Sequence, residues 1–129
     1  MPVRIFWLDE SEKDVLQYEF TGKWTWDEFF PVFEEALALE SSQPHRVDVI
    51  LDFQQSSNIP PNALTHIKSI TDKQPDNIGL SIFVTSNRFF QVMHDMAVRI
   101  YPATKQYFVI VKTMQDAHDT IMADRAEKV

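Results

Sequence analysis

The chain has 129 residues, a formal charge of −7 and no cysteine, which excludes disulfides, thiol catalysis and cysteine-ligated metals. Its acidic balance, with lysines and arginines scattered along the chain, argues against nucleic acid and acidic membrane surfaces as partners. The length fits one domain able to bury about two-thirds of its unfolded surface, and two glycines, Gly22 and Gly79, are too few for a phosphate-binding loop.

The opening run "MPVRIFWLDE" is met early by acids and lacks a small-residue cleavage site, so it does not read as a secretory signal. No apolar stretch approaches a membrane span. The expectation is a soluble cytoplasmic protein without integral membrane association. "VRIFWLD" (3–9) and "VLQYEFTG" (15–22) are rich in β-branched and aromatic residues around an acidic turn, which predicts a hairpin. In the second run Leu16, Tyr18 and Phe20 share one face, and Gln17 and Glu19 the other.

Thr25 followed by Glu28 forms a capping-box pattern that starts the first helix. Trp26, Phe29, Phe30, Phe33, Ala36 and Leu37 then fall on one face at helical spacing, with Pro31 inside the pattern. "VDVILDF" (47–53) is a near-continuous apolar strand, the pattern of a strand covered on both faces. A second helix is expected to begin at Pro60 or Pro61, since proline suits the first helical position. Its buried stripe would be Ala63, Leu64, Ile67 and Ile70. "IGLSIFVTS" (78–86) is the next strand, and Ser86 or Asn87 caps a helix over 88–101 that Pro102 closes. "YFVIVKT" (107–113) is the last strand. Thr113 caps a final helix over 114–127, with Met114, Ala117 and Ile121 inward. The order β-β-α-β-α-β-α-β-α predicts an α/β domain whose sheet is mostly parallel with one antiparallel strand, helices packed on it.

Ligand and switch residues in such sheets gather beyond the carboxyl ends of the strands. Four loops are expected there: Trp24-Thr25, Gln54 to Asn58, Thr85 to Arg88, and Lys112-Thr113. They offer hydroxyls, amides and helix starts that suit an anion. No His-Glu-x-x-His or Gly-x-Ser-x-Gly pattern occurs among His45, His66, His94, His118 and the serines. No metal or cofactor is expected. Asp52, His66 and Arg88 are the residues an enzyme reading would have to use. In the third helix Phe89, Val92 and Met96 lie at one margin of a wide apolar face, where exposure would favour a protein partner or a homodimer.

The element order and the stretch "LDFQQSSNIPPNALTHI" (51–67) resemble the STAS domains, named for sulfate transporters and anti-sigma-factor antagonists. Those domains carry a strand ending "LDL" and then Ile-Asp-Ser-Ser-Gly-Leu at the next helix start. Leu51, Asp52 and Phe53 match the strand end, Ile59 the isoleucine and Leu64 the leucine. Pro60 stands where the family has aspartate and Pro61 where it has the phosphorylated serine; Asn62 and Ala63 replace Ser-Gly. The resemblance therefore implies a STAS-like interaction module without phosphorylation at the usual position. Ser56 and Ser57 remain as loop hydroxyls. The expected interaction edge is Ser56, Ser57, Asn58, Pro60, Pro61, Asn62, His66, Ser86 and Arg88. The alternative is a small-ligand or lipid-binding domain, with an apolar pocket between helices and sheet lined by Trp24, Trp26, Phe29, Phe30, Phe89 and Phe90.

Overall fold

The computed structural model describes residues 2–56, 58–102 and 108–127. β1 (Val3–Trp7) and β2 (Val15–Thr21) form the antiparallel hairpin. Then follow α1 (Trp26–Ser41), β3 (Val47–Gln55), α2 (Ala63–Asp72), β4 (Ile78–Val84), α3 (Arg88–Ile100), β5 (Phe108–Val111) and α4 (Met114–Glu127). The strands lie in the order β1-β2-β3-β4-β5, and every pair after the first is parallel. The element order and the single antiparallel pair match the sequence expectation. Tyr107, the expected first residue of the last strand, lies outside the described residues.

Each strand sits beside its predecessor, so the sheet grows in one direction. Right-handed crossovers then place their helices on one face. Phe29, Phe33 and Ala36 of α1, Ile70 of α2 and Phe90 of α3 all pack with Leu16, Tyr18, Phe20, Val49, Leu51 and Phe53. The opposite face is covered by α4, whose Ala117 and Ile121 pack on Ile50, Leu80, Ile82 and Val84. The strand order never reverses, so the fold has no switch-point crevice of the doubly wound kind.

The start of α2 differs from expectation. Helical structure begins at Ala63, and Asn62 precedes it in the left-handed region at φ 68° without a side-chain cap. Proline at 61 biases Pro60 toward extended backbone, and the left-handed Asn62 separates Pro61 from the helix. The α2 stripe is also shallower than expected: Ala63 is buried, but Leu64, Ile67 and Ile70 are half-buried. Gln17, expected on a polar face, is buried as well. The capping box at Thr25 and Glu28 is present in full, and Asn87 and Thr113 cap α3 and α4 as expected.

An ionic cluster at the amino ends of β3 and β4 ties α4 to the sheet. Asp48 is fully buried on the α4 face. It accepts from Arg46, from Arg125 of α4 at 2.8 Å and from the Leu80 amide at 2.8 Å. Arg125 also donates to Asp14, and Arg46 to Asp124. A Cβ at Gly79 would overlap Arg46 Nε and Asp48 Oδ1, so glycine is required for that close approach. Asp48→Ala strands two partly buried guanidinium groups and a buried amide. It should destabilise the fold by about 3 kcal/mol in urea denaturation and raise hydrogen exchange across α4. An unchanged midpoint would contradict this role.

Candidate functional site

Beneath α1, α2 and α3 the core does not close. The sheet floor carries Tyr18, Phe20, Val49, Leu51, Phe53 and Phe83. The helical wall carries Phe29 and Phe33, then Ala63, Ile67 and Ile70, then Phe90, Met93 and Ala97. About 90 Å³ of this space is open to the centre of a water molecule, and the atom-free volume including the mouth is about 900 Å³. Protein interiors rarely keep voids larger than one water, for which roughly 10–15 Å³ suffices. The void follows from side-chain choice. Ala63 and Ala97 are small where their helices face the sheet, and the rings of α1 spend their contacts on one another and on the floor. Phe29 lies 5.5 Å from Phe33 and 5.9 Å from Tyr18, centroid to centroid. The half-buried Ile67 and Ile70 of α2 thus overlie a cavity rather than a filled core.

The tryptophans stand near the carboxyl ends of the strands, against the loop that joins β3 to α2. Trp24 Nε1 donates to the Asn58 carbonyl at 2.9 Å, and Trp26 Nε1 to the Pro61 carbonyl at 2.6 Å. The His66 ring lies tilted against Trp26 at 4.4 Å and edge-on to Phe30 at 5.1 Å, centroid to centroid. Ser56 is buried and donates to the Gly22 carbonyl at 2.5 Å, where Gly22 adopts φ 61°. The loop is therefore fastened to the start of α1. A kinase could reach the Ser56 hydroxyl only after that bond opened. Ser57 lies outside the described residues.

Glu40 is the unexpected member of the cavity wall. It falls on the buried face of α1 at the spacing Phe29, Phe33, Ala36, Glu40, and is 2% exposed. Its Oε1 has no hydrogen-bond partner among the described residues. Its backbone is held, because Asn77 Nδ2 donates to the carbonyls of Glu40 and His45. Burial pushes its carboxyl up to about 8, so it is protonated at neutral pH. Tyr18, which lines the same cavity, is driven well above the usual phenol range, by burial first and then by the Glu40 charge. The periodicity signal was present, since residue 40 continues the positions of Phe33 and Ala36. A glutamate near a helix end reads as solvated, which hid it.

The expected interaction edge is only partly brought together. A polar depression beyond the ends of β3, β4 and β5 is lined by Phe53, Gln54, Gln55, Ser56, Thr85, Ser86, Asn87 and Lys112. It brings Ser56 and Ser86 of the expected edge together with Lys112, so three of the four expected loops meet there. Asn58, Pro60, Pro61, Asn62, His66 and Arg88 are not among its lining residues, and Trp24 lines the apolar cavity instead. On α3, Phe89, Val92, Met96 and Ile100 form an exposed stripe, each between 42% and 53% accessible. Exposed Phe89 is not in the cavity lining, whereas Phe90 is.

Asp52 is buried and its Oδ1 accepts from the Gln54 amide at 2.9 Å, while Arg88 is exposed at the start of α3. Among the described residues no group of three or more His, Asp or Glu could hold a metal. No described helix is long and apolar enough to cross a membrane. No family model, curated protein or solved structure matches the chain.

Glu40 gives the site a pH signature. Its folded value is raised above the ordinary 4.5, so the folded state holds a proton that the unfolded chain releases. Stability is highest below pH 4.5, where the carboxyl is neutral in both folded and unfolded chains, and falls as pH rises to about 8. The expected fall is roughly 3–5 kcal/mol. Chemical denaturation from pH 4 to 9 should show this slope in the native chain and a much flatter one in Glu40→Gln. Identical slopes would show that Glu40 ionises freely.

Proposed function

We propose that this chain is a non-enzymatic, STAS-like cytoplasmic module that binds a small apolar ligand between sheet and helices. The observation that carries the reading is the unfilled apolar cavity beneath α1, α2 and α3. Pockets of this kind, apolar with a few convergent polar groups, are where small molecules bind. The Pro60-Pro61 pair supports a module without the phospho-switch of STAS domains, because neither residue carries a hydroxyl. The indole hydrogen bonds from Trp24 and Trp26 tie the loop after β3 to the cavity mouth, so occupancy can be felt at that loop. N-phenyl-1-naphthylamine, an uncharged apolar fluorophore, is a suitable reporter. The chain should enhance its emission saturably, and Ile67→Phe, which fills the cavity, should weaken binding by about ten-fold or more. Equal binding by Ile67→Phe would place the dye elsewhere.

A second reading rests on the α3 stripe. Phe89, Val92, Met96 and Ile100 form a continuous exposed apolar line, which suits contact with a second copy of the chain. Light scattering should then find a dimer that Val92→Glu dissociates; a monomer at all concentrations would remove this reading.

A further inference from the structure

The polar members of the cavity wall narrow the chemistry of its occupant, taking the ligand-site reading as given. Among its lining residues there is no lysine or arginine. His94 is committed through Nε2, which donates to the Phe108 carbonyl at 2.9 Å, and its other ring nitrogen lies 3.5 Å from Asp95. A ligand carboxylate, sulfate or phosphate would thus enter without a countercharge, beside Glu40 and inside a chain of net charge −7. An unpaired buried anion costs far more than the apolar surface of a small ligand returns. A pure hydrocarbon fits the walls but leaves Glu40 Oε1 as it is, buried and without a partner.

The remaining class is neutral. We infer that the cavity takes an uncharged amphiphile, an apolar body with one hydroxyl head, and that the head lies against Glu40 with Tyr18 beside it. The protonated carboxyl offers one O–H donor and one carbonyl acceptor, and an alcohol head can answer both. The body runs along α2 from Ile70 toward Ala63, a helix roughly 15 Å long. Gln74 donates its own amide to the Ile70 carbonyl at 3.0 Å, and the hydroxyls of Tyr18 and Ser81 are further polar groups of the lining.

The test compares four six-carbon probes: 1-hexanol, 1-chlorohexane, hexanoate and hexylamine. Each is measured by competition against N-phenyl-1-naphthylamine at pH 7 on the native chain, Glu40→Gln and Glu40→Leu. Hexanol should bind best to the native chain, with hexanoate at least about ten-fold weaker. Glu40→Leu should shift the hexanol-to-chlorohexane preference toward the chloride by about ten-fold, and Glu40→Gln should retain most of it. Probes that bind the native chain and Glu40→Leu with the same preferences would overturn the inference while leaving the apolar site intact. Hexylamine binding tightest, with Glu40→Gln abolishing its advantage, would overturn it in favour of an ion pair. Failure of every probe to displace the dye would overturn both the inference and the site. Glu40→Leu exchanges a buried polar group for an apolar one, so loss of fold does not confound the comparison.

Discussion

The constraint on which the structure turns is the one-directional order of its strands. Because β1 through β5 are laid down side by side, three helices share one face and α4 alone serves the other. The two faces then solve different problems. The α4 face is narrow, and it closes around Ile50, Ile82 and Ile121 with Asp48 and Arg125 as an ionic latch. The three-helix face is broad and is floored by rings. Rings stack in preferred geometries, as Phe20 on Phe53 at 4.2 Å and Phe83 on Phe108 at 5.2 Å, and do not deform to fill the gaps between helices. Small residues at Ala63 and Ala97 leave the remaining volume open. The cavity is thus a consequence of topology and side-chain size together.

Glu40 sits in that cavity at a cost. A buried carboxyl oxygen without a partner typically costs about 1–3 kcal/mol relative to a satisfied one. Leucine at this helical position would continue the apolar face and suit the surroundings better. A group that weakens the empty fold, held in place by the Asn77 clamp on the end of α1, is the arrangement expected where binding supplies the missing partner. The proposed ligand would thus couple to stability through this one side chain.

Much of the fold was legible in the sequence. The capping box at Thr25, the alternation of Leu16, Tyr18 and Phe20, and the apolar run of β3 each specify an element through local physics. The exposed margin of α3 was legible too, because Phe89, Val92 and Met96 drift away from the centre of its apolar face. The start of α2 was misplaced because a proline pair satisfies two local rules at once. Pro61 is acceptable at the first turn of a helix, yet it also forces extension on the residue before it, and the indole bonds to Asn58 and Pro61 decide the matter. The site was legible in part: Trp24, Trp26, Phe29 and Phe90, expected around an apolar pocket between helices and sheet, line the cavity, whereas Phe30 and Phe89 do not, and the rest of the lining was hidden for a different reason. The loops beyond the strand ends carry the visible polar chemistry, whereas the cavity is an absence of atoms created by residues distant in sequence. Tyr18, Glu40, Ile67 and Ala97 show no common motif.

Methyl-resolved NMR during titration with 1-hexanol tests the central claim most directly, because the two faces of the sheet provide an internal control. The account predicts saturable shifts at Ala63, Ile67, Ile70, Met93 and Ala97, with Ile82, Ala117 and Ile121 on the α4 face unmoved. Shifts confined to Val92, Met96 and Ile100 on the exposed stripe, or no shift at any methyl, would contradict it.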